Sequence, residues 1–362
     1  MFDPSIHPTI HFGTDAVQAL CDLYPGRQFH WVRIPEINDD ALKKVRLALS
    51  GRLASETLYS QGMPDLRQVQ AMHDGFWHDK DPQKSVLLGL GGGSLMDLVK
   101  VLRFVPSQAG WLQQHLDVAI EVAIEDSDGS KVPLVLMPTT AGTGSEVTPT
   151  ATIWDFEKQK KHSFFGPEVL ANVAVVDPSF CCSAPWLVSR DSAIDALSHA
   201  LEAIWNRHQT AQTTLWAVEA AQIICHELPL LEGDLDNLDR RERLSEAALL
   251  AGLAMAKTQT ALAHALSYAE TAANLKSHGQ SCAYWLPFVW QLLMDSACDA
   301  AIKENVRKAV GDCFSGPESM RDWLLKMKFS VHPLKGSDSP VSQQIEALKM
   351  TPRGQNFAGF EV

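Results

Sequence analysis

The feature that most constrains the fold is a set of short apolar runs in the first half of the chain, alternating with amphipathic segments. The apolar runs, read as buried strands, are residues 29–34, 85–89, 132–137 and 173–176. Two of the segments between them, residues 39–52 and 95–104, have helical periodicity. Strands that alternate with helices predict an α/β domain, a Rossmann-like parallel sheet with helices on both faces.

The pattern changes after about residue 183, where strand signals become rare. The segments Arg190–Ile204, Ala211–Leu228, Arg240–Asn274 and Trp285–Val310 are rich in Ala, Leu, Glu and Gln. They predict an all-α helical bundle, and the domains expected are residues 1–182 and 183–362. Prolines and glycines after Ser330 predict a loosely ordered tail.

Bulk properties exclude several classes of protein. The net charge of 31 − 43 = −12 argues against nucleic acid and anionic membranes as partners. There is no apolar run of transmembrane length, and the first residues lack the basic start and apolar stretch of a secretory signal. Seven cysteines without a C-x-x-C pair fit reduced thiols. A cytoplasmic location is therefore expected.

A glycine cluster, Gly89-Leu-Gly-Gly-Gly-Ser94, follows the second predicted strand and precedes a helix. Glycines let a backbone approach a pyrophosphate, and the helix that follows presents free N–H groups and a positive dipole end. Asp97 falls in the first turn of that helix, where its charge is favoured. A tight turn that only needs small residues explains the same pattern.

A second polar loop, residues 138–146, follows the third predicted strand and contains two glycines and four hydroxyl residues. In open parallel sheets ligands bind at the carboxyl ends of strands, which favours a cofactor-binding role. The alternative is a hydroxyl-rich turn in which Ser145 caps the next helix.

Four side chains of the second half have the chemistry of a metal site. Asp195 and His199 lie one helical turn apart, and His264 lies on the long predicted helix. His278 follows, with Gly279 predicting a turn that brings it beside that helix. Three imidazoles and a carboxylate suit Fe²⁺ or Zn²⁺. Taken singly, they also fit a helix ion pair, a core histidine and a surface histidine.

Together these motifs resemble the iron-containing (group III) alcohol dehydrogenases, in a superfamily that includes glycerol dehydrogenase and dehydroquinate synthase. The resemblance covers most of residues 5–290, in family order and spacing. The segments that carry it are residues 91–100, 138–147, 195–202 and 264–278. It implies a dehydroquinate synthase-like fold and a metal-dependent, NAD- or NADP-linked alcohol dehydrogenase or aldehyde reductase.

The resemblance also implies roles for individual residues. Asp195, His199, His264 and His278 match the family's metal ligands, and Glu202 matches a glutamate that supports the metal helix. The positions that match cofactor-binding residues are Gly92, Gly93, Ser94, Asp97, Thr139, Thr140, Thr143 and Lys161. For Lys161, a solvated basic hairpin is the alternative.

Two positions depart from the family pattern. Tyr268 replaces a second histidine, four residues after His264, that relays the alcohol proton in many members. Because a phenol with a pKa of about 10 is a poor base at neutral pH, this change leaves the route of the alcohol proton open. Arg33 and Glu36, after the first strand, offer both signs of charge and leave NAD versus NADP open.

The expected partner is a small alcohol or aldehyde. The segments 199–206 and 260–268 look closest to a branch acting on anionic substrates, which includes phosphonoacetaldehyde reductases and an enzyme that oxidises the terminal hydroxyl of 3-deoxy-manno-octulosonate. A homodimer is expected as a family trait. The alternatives are a non-redox lyase of the dehydroquinate synthase kind and a non-catalytic binding protein with a degenerate site.

Overall fold

The computed structural model describes residues 7–60, 62–105, 112, 121–123, 131–158, 160–274, 277–334 and 339–361. The chain divides into two units. The first contains Met1–Thr140 and Ser145–Ala184, and the second contains Ala141–Gly144 and Pro185–Val362. The short segment Ala141–Gly144, from the middle of the second polar loop, thus folds with the second unit.

A six-stranded sheet, paired in parallel throughout, is the centre of the first unit, with strand order β1-β9-β6-β4-β2-β3. A smaller sheet of order β5-β8-β7 contains the antiparallel hairpin of β7 and β8. The strands are β1 Thr9–Phe12, β2 Gln28–Arg33, β3 Leu53–Leu58, β4 Ser85–Gly91, β5 Glu121–Ala123, β6 Leu134–Pro138, β7 Thr150–Asp155, β8 Lys160–Phe165 and β9 Val173–Val176. The predicted α/β class of this half is confirmed.

Helices cover both faces of the large sheet. They are α1 Asp39–Leu49, α2 Leu66–Phe76 and α3 Gly93–Leu102. The central strand β4 is buried along its whole length because apolar side chains pack against both of its faces. The edge strand β3, by contrast, alternates half-buried and exposed residues.

The second unit is helical around one buried apolar core. Its helices are α4 Trp186–Ile204, α5 Ala211–Leu231, α6 Leu238–Thr258, α7 Leu262–Asn274, α8 His278–Asp295, α9 Ala300–Val310, α10 Pro317–Lys326, α11 Ser339–Lys349 and α12 Pro352–Asn356. Nearly every residue of α4 from Ala193 onward is buried. Polar side chains on this helix therefore lie inside the protein.

The prediction of one helix over Arg240–Asn274 is wrong, because the chain breaks between α6 and α7. Gln259, the C-cap residue of α6, adopts a φ of +62°. Buried amides satisfy the carbonyl groups of the break: Asn206 Nδ2 donates to Gln259 O (3.2 Å) and Asn356 Nδ2 to Thr260 O (2.9 Å). The segment Trp285–Val310 is likewise divided between α8 and α9.

The prediction of a loosely ordered tail is also wrong for residues 339–361. This segment forms α11 and α12, and the Phe357 side chain is 0% exposed. Backbone bonds attach it to the end of α4, with Arg207 N donating to Asn356 O (2.8 Å) and Ala358 N to Trp205 O (3.0 Å). Apolar burial thus outweighs the local effect of Pro352 and Gly354.

Among the helices that the structure describes, none combines the length and apolar character needed to cross a bilayer.

Candidate metal centre and cofactor loops

Three helices of the second unit each contribute a pair of polar side chains, spaced one turn apart, to one group. The pairs are Asp195 and His199 on α4, His264 and Tyr268 on α7, and His278 and Cys282 on α8. A spacing of four residues places both members of a pair on one helix face. Residues far apart in sequence therefore meet inside the core.

The carboxylate of Asp195 lies at the middle of the group. Its Oδ1 atom is 3.7 Å from His199 Nε2, 3.6 Å from His264 Nε2 and 3.6 Å from His278 Nε2. These separations exceed those of hydrogen bonds, yet they approach the edges of a tetrahedral metal site, about 3.3–3.6 Å for bonds of about 2.0–2.2 Å. Asp195 Oδ1 therefore lies within metal-site distance of all three predicted histidine ligands, and the donor atoms of His264 and His278 also lie within 4.8 Å of each other.

Cys282 is a further potential metal donor, which the sequence motifs did not predict. The donor atoms of Asp195, His264, His278 and Cys282 all lie within 4.8 Å of one another, and the Cys282 side chain is 0% exposed. Its spacing of four residues from His278 was the sequence signal. The mutually close set thus holds three of the four predicted ligands and a thiol, whereas His199 Nε2 is placed by its distance of 3.7 Å to Asp195 Oδ1.

Glu202 orients His264. Its Oε2 atom lies 2.6 Å from His264 Nδ1, so a proton on Nδ1 is donated to the carboxylate and Nε2 keeps its lone pair for an ion. The same carboxylate accepts hydrogen bonds at the start of α7, from the backbone N–H groups of Ala261 just before the helix (2.9 Å) and of Ala263 (2.5 Å) and His264 (3.1 Å) within it. Glu202 therefore both caps α7 and holds the imidazole, the supporting role implied by the resemblance.

Asp191, which sequence reasoning missed, positions His278. It lies one turn before Asp195 on α4, and its Oδ2 atom accepts from Ser277 Oγ (2.6 Å) and Gln280 Nε2 (3.0 Å) at the start of α8. Gly279 is needed for close approach rather than a turn, because a Cβ there would lie 1.9 Å from the Asp191 carbonyl oxygen. The predicted turn at Gly279 is wrong, since this residue lies inside α8.

The pKa values describe a site of mutually compensating charges. Burial would raise the pKa of Asp195, but the three imidazoles lower it well below its usual value. Burial lowers the pKa of His199 to about 4, so this imidazole is neutral at pH 7. Against the effect of burial, His264 and His278 lower the pKa of Cys282 to about 6.

His264 and His278 show the opposite shift. Burial acts to lower the pKa of each, but the nearby Cys282 and acidic groups raise both above the usual value. A divalent cation at this point supplies the positive charge that protons on these imidazoles otherwise bring.

Tyr268 lies in an outer layer of the same group. Its ring is nearly parallel to that of His278, with centroids 6.5 Å apart. The Arg353 guanidinium lies 5.0 Å from the Tyr268 ring centroid. The position that the resemblance assigned to the proton relay is thus occupied by a phenol beside a cation.

The two cofactor loops of the first unit begin side by side. Strands β4 and β6 are neighbours, Gly91 pairs with Pro138, and Thr139 N donates to Gly91 O (3.1 Å). Gly92 is the N-cap residue of α3 and has no side chain to bond the first amides of the helix. Gly93 and Ser94 form the first turn of α3. The N-terminal amides of α3 and the buried hydroxyl of Thr139, for which the described residues offer no hydrogen-bond partner, fit a phosphate-bearing ligand.

Asp97 bonds other parts of the first unit. Its carboxylate accepts from Ser145 Oγ (2.8 Å) and Thr152 N (3.0 Å), and Ser145 Oγ also accepts from the buried Lys100 ammonium (2.9 Å). Burial raises the pKa of Asp97, opposed by Lys100 and Ser145. Its contacts make Asp97 a support for β7, and Ser145 starts a short 3-10 helix.

The remaining predicted cofactor residues lie in different settings. Thr140 is half-buried at the end of β6, and Thr143 belongs to the segment that folds with the second unit. There Gly144 has a φ of +61°, and a Cβ on it would lie 2.5 Å from Gly252 Cα. Lys161 lies on β8 of the antiparallel hairpin, with Nζ 5.9 Å from the Trp154 ring centroid.

Comparison with known families gives matches to both units. The model for "iron-containing alcohol dehydrogenase" matches residues 8–178. The model for the C-terminal part of the Fe-containing alcohol dehydrogenase family matches residues 189–328.

Individual relatives match part of the chain. Aldehyde-alcohol dehydrogenase 2 of Entamoeba histolytica is 34% identical over 208 residues, which are 56% of this chain and 24% of that protein. Phosphonoacetaldehyde reductase of Streptomyces viridochromogenes is 32% identical over 201 residues, 54% of this chain and 50% of that protein. The matched region thus spans between a quarter and a half of the length of these curated relatives.

Among solved structures, sulfoacetaldehyde reductase from Bifidobacterium kashiwanohense in complex with NAD⁺ has a TM-score of 0.82 at 22% identity. The match covers 99% of this chain and 94% of that chain. At this identity the likeness shows a shared fold, which confirms the predicted fold class.

Proposed function

Because the chain belongs to the iron-containing alcohol dehydrogenase family, we propose that it is a metal-dependent, NAD- or NADP-linked alcohol dehydrogenase or aldehyde reductase. The observation that carries the proposal is the approach of His199, His264 and His278 to the Asp195 carboxylate in the second unit, where Asp195, His199 and His264 are buried and His278 is partly exposed. In the forward direction, the carbinol carbon gives a hydride to the nicotinamide and the hydroxyl proton passes to solvent.

The donor set defines what the protein contributes. A divalent ion, Fe²⁺ or Zn²⁺, supplies Lewis-acid stabilisation of negative charge on the substrate oxygen. Glu202 holds His264 in the tautomer that presents Nε2, and Asp191 fixes the start of the helix that carries His278. The glycine loop at α3 binds the cofactor pyrophosphate through backbone amides.

The His264→Ala variant tests the proposal. We expect it to lose both bound metal and NAD(P)H-linked turnover while its far-ultraviolet circular dichroism stays that of the parent. The matched control is His226→Ala, because the His226 side chain is 71% exposed on α5. Full activity of the His264 variant would refute the proposal. Turnover without net change in NAD(P)H would instead support a lyase, and a parent protein free of metal would support a binding protein.

An anionic aldehyde is the proposed substrate class. Arg353 brings a cation beside Tyr268, whose ring lies 6.5 Å from that of His278, and a curated relative at 32% identity is a phosphonoacetaldehyde reductase. Replacing Arg353 by Gln should raise KM for phosphonoacetaldehyde about 10- to 100-fold, the effect of losing a charge-assisted hydrogen bond. The KM for propanal serves as the control and should not change. Faster turnover of simple primary alcohols than of phosphonates or sugar acids by the parent would contradict this substrate class.

For the nucleotide, the charges at the end of β2 support NAD over NADP. Glu56 binds both nearby guanidinium groups, Arg33 Nε at 2.6 Å and Arg46 at 3.0 Å, whereas Glu36 is exposed. A carboxylate near this strand end pairs with a ribose 2′-hydroxyl and repels a 2′-phosphate. In the Glu56→Gln variant, kcat/KM for NADP relative to NAD should rise about two- to fivefold, the range of partly exposed ion pairs. Glu246→Gln, in a surface pair of the second unit, is the control.

A further inference from the structure

The donor atom that the proposed function leaves unused is the Cys282 thiol. Its Sγ atom lies 3.7 Å from His264 Nε2, 3.9 Å from His278 Nε2 and 4.0 Å from Asp195 Oδ1. A thiol that only packs in a core is surrounded by carbon atoms. This sulfur instead faces three metal-ligating atoms at once.

The distances match those of a shared ion. With a metal–sulfur bond of about 2.3 Å, the edges from sulfur to nitrogen or oxygen in a tetrahedral site are about 3.6 Å. The three observed edges exceed that length only slightly. The mutually close set of donors contains Cys282 along with Asp195, His264 and His278.

The helix geometry explains why the sulfur faces the site. Cys282 lies one turn after His278 on α8, and the start of α8 is held by the Asp191 carboxylate and the close approach at Gly279. Because His278 and Cys282 lie on one face of α8, a position of this helix that directs His278 toward an ion also directs Cys282 toward it.

We propose that Cys282 is a direct ligand of the ion held by Asp195, His264 and His278, giving a site of mixed nitrogen, oxygen and sulfur donors. This inference rests on the proposed function. On binding, the thiol proton leaves to solvent and a sulfur–metal bond forms. One carboxylate and one thiolate then balance the two positive charges of the ion in a buried site. Thiolate ligation favours Zn²⁺, Co²⁺ or Fe²⁺ over Mg²⁺ or Mn²⁺.

Cobalt substitution tests the proposal. The full chain is stripped with a chelator and loaded with Co²⁺ alone, and its absorption spectrum is recorded. We expect a thiolate-to-cobalt charge-transfer band in the near ultraviolet, together with the weaker ligand-field bands of the ion. Cys282→Ser should lose the charge-transfer band, keep ligand-field bands, and bind Zn²⁺ at least about 10-fold more weakly, since even the loss of an outer-shell partner of a metal ligand costs that much. Cys225→Ser, which removes another buried thiol of the second unit, should keep the band.

A second measurement does not depend on a variant that folds. X-ray absorption of the zinc-loaded parent should show a sulfur neighbour at about 2.3 Å. Ligand-field bands without the charge-transfer band, or zinc without a sulfur neighbour, would overturn the role of Cys282 and leave the proposed function standing. Normal cobalt binding by His264→Ala would instead overturn the metal site itself.

Discussion

Replacing Glu202 by Gln tests whether one carboxylate organises the metal-binding helix. Each of its oxygens accepts two hydrogen bonds: Oε1 from the N–H groups of Ala263 and His264, and Oε2 from Ala261 N and His264 Nδ1. A glutamine presents an amide donor in place of one oxygen, whichever way it is turned. Two of the four bonds are then lost, and donors face donors in a side chain that is 0% exposed.

The expected effect is large. Hydrogen bonds to a charged acceptor contribute about 1.5–3 kcal/mol each, so the loss of two should lower the free energy of unfolding by about 3–6 kcal/mol. Because His264 Nδ1 also loses its carboxylate partner, zinc affinity should fall about 10- to 100-fold. Urea unfolding and competition with a chromophoric chelator measure the two quantities.

Glu146 is the matched control, since it is also a buried glutamate but lies in the first unit. Burial raises the pKa of Glu146 to about 7, so near pH 7 a neutral amide resembles the form it already adopts in part. Glu146→Gln should leave zinc affinity unchanged. If Glu202→Gln stayed within about 1 kcal/mol of the parent and bound zinc equally well, the reasoning would be refuted.

Three further changes have expected outcomes. The Gly279→Ala variant should release zinc on dialysis, because the new Cβ would lie 1.9 Å from the Asp191 carbonyl oxygen and displace the start of α8. A normal zinc content would contradict the argument that α8 must approach α4 closely at Gly279. The Tyr268→His variant should add an inflection near pH 6–7 to the profile of kcat/KM against pH, since an imidazole titrates there and a phenol does not. An unchanged profile would exclude position 268 as a proton relay. Burial holds the pKa of His30 at about 4, below the value of about 6.5 in an unfolded chain. The contribution of His30 to the free energy of unfolding is therefore complete above about pH 6.5, and about 1–2 kcal/mol of it should be lost between pH 7 and pH 5 as the unfolded chain takes up a proton. Urea unfolding of His30→Asn should show a smaller loss of stability over this pH range, and an equal loss would be contrary evidence.

Local pattern was enough for the class of fold and for much of the candidate site. The buried strands β4, β6 and β9 are almost entirely apolar, as a parallel sheet covered on both faces requires, and β2 has an apolar centre interrupted by His30. The i, i+4 spacing of Asp195 and His199 likewise depends only on helical geometry. The edge strand β3 was missed because half of its residues face solvent.

Other features depended on contacts between distant residues, and local pattern misled there. The run from Arg240 to Asn274 has continuous helical composition, yet the chain breaks at Gln259. The break is stable because Glu202 and two buried asparagines bond the backbone groups that it releases. Gly279 suggested a turn, but it serves the packing of α8 on α4.

From the order of amino acids alone one can infer the α/β order of the first unit, the helical character of the second and the chemistry of the four predicted ligands. These depend on periodicity and side-chain type, which act within a few residues. The folded chain is needed to see that Glu202 caps α7, that Asp191 holds α8, and that Cys282 faces the same point as three predicted ligands. Those relations are distances between helices far apart in the chain, and packing sets such distances after each helix has formed.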